Sequence, residues 1–489
     1  MEKLIIKYRT VNVKARAALW FTLCNFLNKG ISMIVVPLYT RLLSMEAYTE
    51  YTMFLSWMNI LAILATLQIS RAYYNVGITK YEEDVDAYTS SMLGLGSAAT
   101  MLLFIVYLCG MPLFNGWLTL STPVVVGMFA FLFVFPAWEF WAVQQRFSYK
   151  YFKMVFATIL VAILSPLMGI AGILFFGLES EAAIFSKLIV QGALAAILYV
   201  QFIRKGRRVH QKGYWKEGFT FGVTLMPYLL SVIVLDQADR IMIRNMIGPE
   251  EAAIYSVAYS AAMILQLMNS ALDDALVPWI YQKLKGRRYG EIEPVTNKLL
   301  ILVAASNLLL VLFAPEVIAF FAPSAYHDAI WIIPPITASV FFMFLFQRYI
   351  NVEVYYGATT NISKTSIGIA VLNIVLNYFF LPVFGYRAAA YTTLVCYIAF
   401  CVAHYWTLRK ICRERCEGER VFSAGSMAMA GGLFLICIFA ITFLYGYWVL
   451  RALVALIMCL AGFHQRHFIL SIVKNRQNHG ESSGISAAS

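Results

Sequence analysis

Long apolar stretches alternate with short polar segments along the whole chain. Each stretch has about 18 or more residues, enough for a helix to cross the ~30 Å of hydrocarbon in a bilayer. We predict fourteen membrane-spanning helices, centred near residues 27, 59, 99, 126, 163, 192, 230, 262, 309, 341, 374, 398, 434 and 458. The pattern indicates an all-α polytopic membrane protein.

Composition agrees with this prediction. Of the 489 residues, 61% are hydrophobic and 13% are charged, too few charges to cover the surface of a soluble protein of this length. Eight cysteines are scattered along the chain. Cys412 and Cys416 share a basic segment that we place in the cytoplasm, where thiols stay reduced. Because no other ligands cluster near them, we predict no metal site.

The segments between spans alternate in basic charge. One set, the N-terminus and the segments after even-numbered spans, includes basic runs such as Arg204–Lys216, Lys283–Arg288 and Arg409–Arg415. Of the 38 lysines and arginines, this set lacks only Arg41, Arg240, Arg244, Arg387 and Arg451 on the opposite side and Lys29 and Lys187 within spans. This bias predicts that both termini are cytoplasmic. It also explains the net charge of +12 without a nucleic-acid partner.

Three stretches recur at a nearly constant spacing. Leu42–Ser56 resembles Met246–Ser260 at an offset of 204, "QRF" from Gln145 matches "QRY" from Gln347, and "FGLESEAA" matches "FGYRAAA". We infer two homologous lobes of six helices that enter the membrane in the same direction, an arrangement typical of transporters. The predicted domains are residues 1–205 (spans 1–6), 206–415 (spans 7–12), and 416–489 (spans 13 and 14 with a cytoplasmic tail).

Lys29 interrupts the first apolar span. Thr22, Asn25, Lys29 and Ser32 fall on one helix face, and Lys29 lies about 18 Å along the axis from Ala17. An ammonium at that depth costs about 2.5–3.5 kcal/mol on insertion scales. Either it pairs or snorkels within the protein, or its face borders a water-filled cavity. We favour the cavity.

Acidic residues occur in spans 7 and 8. Asp236, Asp239 and Arg240 lie near the outer end of span 7, where Asp236 and Arg240 have the spacing of a structural ion pair. Asp273 and Asp274 lie at the inner end of span 8. These five residues are our candidates for coupling or gating; the aspartates of span 8 are alternatively ordinary interfacial residues.

Arginines occur at the inner ends of spans 2, 4 and 10, as Arg71, Arg146 and Arg348. They are either plain positive-inside anchors or a cluster of guanidinium groups at an inward mouth, since two of them hold equivalent positions in the repeat. A guanidinium suits phosphate because its planar fork bonds two oxygens. Lys187 in span 6 has Glu179 and Glu181 one to two turns earlier as potential partners.

No catalytic constellation is evident. The sequence has no phosphate-cradling glycine-rich motif and no histidines at metal-binding spacing, and the outer loops are short. We therefore predict that the protein is not an enzyme and has no cofactor. A gradient of protons or sodium ions, or mass action, would supply the energy.

Two stretches resemble a known family. Ala18–Trp57, "ALWFTLCNFLNKGISMIVVPLYTRLLSMEAYTEYTMFLSW", and its second-lobe counterpart Gln237–Ser260, "QADRIMIRNMIGPEEAAIYSVAYS", are similar to bacterial O-antigen and polysaccharide repeat-unit flippases. These belong to the multidrug/oligosaccharidyl-lipid/polysaccharide exporter superfamily. The resemblance extends over essentially the whole chain.

The resemblance implies a V-shaped pair of lobes around a central cavity, working by alternating access in the bacterial inner membrane. The implied cargo is an oligosaccharide on undecaprenyl diphosphate, with membrane lipids and the polysaccharide polymerase and chain-length proteins as further partners. It also implies that Lys29, Arg71 and Arg146 bind the anionic part of the cargo, and we add Asn25 and Arg348 to that set. Spans 13 and 14 would accommodate the prenyl tail.

Two other functions compete with this one. A multidrug or cation antiporter of the same superfamily would favour an acidic cavity, whereas span 1 offers Lys29 and the acids of spans 7 and 8 lie toward span ends. A membrane-bound glycan polymerase or ligase acting on the same lipid-linked sugars would usually need a sizeable outer loop. The short loops and the two-lobe repeat favour a transporter.

Overall fold

The structure, a computed structural model, describes residues 13–70 and 73–464. Every regular element in those residues is a helix, and none is a strand. The first half of the chain forms α1 (Val13–Leu42), α2 (Met45–Thr66), α3 (Tyr73–Lys80), α4 (Val85–Cys109), α5 (Met111–Leu118), α6 (Thr122–Phe147), α7 (Tyr151–Phe176) and α8 (Ser180–Gly206).

The second half forms an equivalent series. It comprises α9 (Lys212–Met246), α10 (Pro249–Lys285), α11 (Ile292–Leu312), α12 (Ala314–Phe321), α13 (Ile333–Tyr355), α14 (Thr359–Phe384) and α15 (Ala388–Arg415). Two further helices follow, α16 (Ala424–Thr442) and α17 (Trp448–His464). Single 3₁₀ turns precede α4 and α11, and a longer 3₁₀ segment, Ser324–Trp331, precedes α13.

Each predicted span corresponds to one long helix. Among the described residues, 12 helices are long and apolar enough to cross a membrane. The remaining two predicted spans correspond to α2, which has 22 residues, and α17, which contains the shorter apolar segment Trp448–Leu460. The prediction of an all-helical, multi-pass membrane protein is therefore confirmed.

The helix bounds repeat along the chain. α1 ends at Leu42 and α9 at Met246, and the next helices begin at Met45 and Pro249, so both events lie 204 residues apart. A 3₁₀ turn, a long helix and an eight-residue helix then follow in both halves. Gly177 and Gly385, in the left-handed conformation that glycine tolerates, follow α7 and α14. The two-lobe repeat predicted from sequence is thus present in the helices.

The second helix of each half differs in length. α2 stops at Thr66, where Leu67 and Gln68 take positive φ angles of 51° and 47°. Its counterpart α10 has 37 residues and continues to Lys285. All five residues from Thr66 to Ser70 are buried. The first half therefore contains a buried helix break that the second half lacks.

The chain divides into two compact units. One comprises Met1–Val257, Phe321–Pro323 and Ser366–Ala389, and the other Ala258–Phe320, Ser324–Thr365 and Ala390–Ser489. In the first unit, Tyr73, Lys80 and Tyr81 donate to the carboxylate of Glu217, which ties α3 to the start of α9. In the second, both terminal nitrogens of Arg451 bind Glu316 at 2.6 and 2.7 Å, which fastens α17 to α12. The predicted boundaries at residues 205 and 415 stay predictions.

Candidate functional site

Lys29 lies on an exposed part of α1. Thr22 and Ser32, which share its helix face, are also exposed. Asn25 belongs to the same helix, but its side chain lies outside those that the structure describes. Lys29 forms no ion pair with any residue in the described part of the chain. Lys29 is thus an exposed ammonium, without an ion-pair partner among the described residues, on a helix long and apolar enough to span a membrane.

Asp239 is the centre of a buried polar cluster in the first unit. Its side chain is 3% exposed, and its neighbours Tyr255, Asn373 and Asn377 are fully buried. Oδ2 accepts a hydrogen bond of 2.5 Å from the Tyr255 hydroxyl, and Oδ1 accepts bonds of 2.7 and 3.3 Å from the amides of Asn377 and Asn373. We call these four residues the Asp239 cluster.

The Asp239 cluster joins three helices. Asp239 comes from α9, Tyr255 from α10, and the two asparagines from consecutive turns of α14. A buried carboxylate is tolerated when several donors satisfy it, and hydrogen bonds to an ionised acceptor are about twice as strong as neutral ones. Sequence reasoning singled out Asp239 but missed its partners. Two asparagines at i, i+4 inside the apolar α14 were the available signal.

Asp236 and Arg240 flank the cluster on α9. The Gln237 side chain connects them, since its amide nitrogen lies 3.3 Å from Asp236 and its oxygen accepts from Arg240 at 3.0 Å. Both ionic residues are partly buried. These neighbours therefore form a polar chain along one turn of the helix.

Arg348 and Asp273 form an ion pair in the second unit. Arg348 on α13 is 0% exposed, whereas the Asp273 side chain on α10 is 22% exposed. The guanidinium carbon lies 4.5 Å from the centre of the Phe344 ring, and Nε donates to the Phe344 carbonyl at 3.3 Å. Arg348, a predicted substrate-binding residue, and Asp273, a predicted coupling residue, are thus brought together. The arginine is the more deeply buried of the two.

The remaining predicted residues lie elsewhere. Arg146 is exposed at the end of α6, and Asp274 is exposed on α10. Arg71 lies outside the described residues. Sequence reasoning missed Glu139, a carboxylate inside α6 that accepts a 2.5 Å hydrogen bond from Ser70. A carboxylate within an apolar span, on the same helix as Arg146, was the sequence feature that could have identified it.

A second buried pair was also missed. His404 on α15 and Glu353 on α13 are both 0% exposed, and His404 Nδ1 lies 2.9 Å from a carboxylate oxygen of Glu353. The rings of Phe346 and Phe400 stack on the imidazole. No group of three or more histidine, cysteine, aspartate or glutamate side chains suitable for a metal ion occurs among the described residues.

Comparison with known proteins identifies a family. A family model described as polysaccharide biosynthesis protein matches residues 15–283. A curated relative, an uncharacterized membrane protein from Haemophilus influenzae, is 23% identical over 359 residues, which are 69% of this chain and 83% of that protein.

Two kinds of solved transporter share the fold. A lipid II flippase, MurJ, in an inward closed conformation superposes with a TM-score of 0.70 at 13% identity, over 92% of this chain and 100% of that one. A multidrug resistance MATE family transporter of the MOP superfamily, in an inward-facing conformation, gives a TM-score of 0.65 at 15% identity, over 81% and 94%. At sequence identities this low, the comparison shows only that the folds are similar.

Proposed function

The chain belongs to the polysaccharide biosynthesis protein family, and from that membership we propose that it is a lipid-linked oligosaccharide flippase. It moves repeat units of O-antigen or another surface polysaccharide, attached to undecaprenyl diphosphate, from the cytoplasmic to the outer leaflet of the bacterial inner membrane by alternating access. Both termini are cytoplasmic in this proposal. The polysaccharide polymerase and chain-length proteins would act on the delivered units.

The exposed ammonium of Lys29 carries the proposal for an anionic cargo. An unpaired cation on a spanning helix is costly unless it is hydrated or meets an arriving anion. Diphosphate supplies that anion whatever the composition of the glycan. Asn25, Arg71 and Arg146 are the proposed further contacts. Arg348 belongs to the same proposed set, but it is buried and paired with Asp273, so the cargo can contact it only when that ion pair opens.

The coupling step is assigned to the Asp239 cluster. One carboxylate surrounded by a hydroxyl and two amides can take up a proton, or a monovalent cation held by the neutral oxygens together with the carboxylate. Arrival of either would replace donors that now point at Asp239. Because those donors come from α10 and α14, uptake would change how three helices are held together.

Substitution of Lys29 tests the cargo assignment. We expect Lys29→Ala to abolish surface polysaccharide, so that the lipid-linked glycan accumulates on the cytoplasmic leaflet. The amount of the variant protein in the membrane should be normal. Lys29→Arg keeps the charge and should retain export. Normal surface polysaccharide in Lys29→Ala would refute the assignment.

A cation antiporter is the second candidate, favoured by the buried carboxylate of Asp239. Asp239→Asn separates the coupling proposal from uncoupled transport. In proteoliposomes we expect the rate driven by a proton or sodium gradient to fall at least about tenfold in the variant, because an amide cannot take up a proton and offers a sodium ion no negative charge. Dye efflux from intact cells that depends on Asp239 but not on Lys29 would favour the antiporter.

A further inference from the structure

The guanidinium of Arg348 is only partly satisfied. Nε donates to the Phe344 carbonyl at 3.3 Å, and Nη2 is paired with Asp273. Nη1 and Nη2 are both buried, and neither makes a hydrogen bond to a described residue, so Nη2 meets Asp273 as an ion pair without a hydrogen bond. An arginine can use five N–H donors, and a buried donor left without a partner is unfavourable. The site therefore has unused capacity for a second oxygen ligand next to the one that Asp273 supplies.

Asp273 separates this guanidinium from the exposed side of α10. Its side chain is 22% exposed, while that of Arg348 is 0% exposed. The Phe344 ring, 4.5 Å from the guanidinium carbon, and the Phe344 carbonyl hold the arginine in place from one turn earlier on its own helix, α13. Any anion that approaches Arg348 from the exposed side must therefore take the place of the aspartate.

We propose that Asp273 is a built-in competitor for Arg348, occupying the site that the diphosphate of the cargo takes during transport. This inference rests on the proposed function, since it assumes an anionic cargo. In the observed state the carboxylate neutralises the arginine. When diphosphate arrives, two of its oxygens bind Nη1 and Nη2, and Asp273 is released to the exposed face.

Exchange of one anion for another explains how a fully buried arginine can take part in binding. Without a partner the guanidinium would be an uncompensated buried charge, which proteins rarely tolerate. A diphosphate carries more charge than a carboxylate and can fill both terminal nitrogens in the bidentate arrangement that arginine favours. The released carboxylate is already partly exposed, so its rehydration requires little rearrangement.

Binding of inorganic diphosphate to the purified full-length protein tests the competition. Asp273→Asn removes the competitor, and the affinity for diphosphate should rise about tenfold, as expected when a mostly occupied site becomes available. Asp86→Asn, at the exposed start of α4, makes the same change in net charge and should leave the affinity within about twofold. The double variant Asp273→Asn/Arg348→Gln should lose the gain.

Two results would overturn the proposal. One is an affinity of Asp273→Asn no higher than that of Asp86→Asn, and the other is a gain that survives removal of Arg348. Asp273→Asn leaves the buried charge of Arg348 without its partner, so this variant can fail to fold. A second measurement therefore uses the wild-type protein. Carbodiimide labelling followed by mass spectrometry should modify Asp273 several-fold more in the presence of diphosphate, with Asp86 as the unchanged reference. Unchanged labelling of Asp273 would also refute the competition.

The outcome distinguishes this inference from the proposed function. If diphosphate binds to none of the variants, the anionic cargo itself is refuted. If diphosphate binds to the wild type, but equally well to Asp273→Asn and Asp86→Asn, the flippase proposal stands and only the role of Asp273 fails.

Discussion

Arg146 and Arg348 occupy equivalent positions in the two halves of the repeat, yet their surroundings are opposite. Both follow a glutamine in the C-terminal half of a long helix. Arg146 is exposed at the end of α6, two turns after Glu139 on the same helix. Arg348 is 0% exposed and is paired with Asp273 from another helix. Equivalent position in the chain therefore does not give equivalent chemistry.

The helix that carries the partner explains the difference. α10 is continuous and places Asp273 beside Arg348. The residue 204 positions earlier is Ile69, which lies in the buried break after α2. The first half thus lacks both the carboxylate and the helical turn that would present it. The two halves thus differ in one turn of one helix, and with it in whether the arginine forms a buried ion pair or is exposed.

The largest effect is expected when each arginine is replaced in turn. Arg348→Met should lower the free energy of unfolding by about 3 kcal/mol, because it leaves the Asp273 carboxylate without its partner in a partly buried site. Arg146→Met should change it by less than about 0.5 kcal/mol, since the exposed guanidinium is replaced in solvent. Denaturant titration of the purified proteins in mixed micelles measures both.

The two substitutions control each other because each exchanges arginine for methionine at a corresponding position. Equal losses would mean that Arg146 also depends on a buried partner, and the proposed asymmetry of the repeat would be wrong. Restoration of stability by Asp273→Asn in the Arg348→Met background would show that the unpaired carboxylate caused the loss.

A smaller effect is expected where α9 packs against the helix break. A Cβ atom at Gly222 would lie 2.9 Å from the carbonyl oxygen of Leu67, a backbone atom that cannot rotate away. Gly222→Ala should therefore cost about 1–3 kcal/mol of unfolding free energy. A Cβ atom at Gly368 on α14 would meet no described atom within 4 Å, so Gly368→Ala should instead stabilise the protein, by about 0.5–1 kcal/mol. A neutral Gly222→Ala would show that the break is free to move.

The outline of the fold followed from the sequence because apolar length is a local property. Every one of the fourteen predicted spans contains a long helix, and the offset of 204 seen in Leu42–Ser56 recurs in the helix bounds. The helix break escaped detection, since Thr66–Ser70 contains neither glycine nor proline. Its left-handed residues are held by tertiary packing, which no local pattern encodes.

The site was less predictable because its contacts join different helices. Asp236 and Asp239 stood out as charges in an apolar span, and helical spacing could relate them only to Arg240 on the same helix. Tyr255 and Asn377, two of the partners of Asp239, are 16 and 138 residues away. Likewise, the sequence placed Arg348 and Asp273 at inner helix ends without indicating that they meet. Such pairings depend on how helices pack.

The smallest predicted effect concerns the break itself, at Gln68. This residue has a φ of 47°, is 7% exposed, and its side-chain oxygen has no partner among the described residues. Because a left-handed conformation is costly for a residue with a Cβ atom, Gln68→Gly should be more stable than Gln68→Ala, by about 1 kcal/mol. Leu272 is the counterpart 204 residues later, inside the continuous α10. There the order should reverse, with alanine about 1 kcal/mol more stable than glycine. Thermal unfolding of the four variants measures both differences, and the same order at the two positions would show that the first half is helical at residue 68.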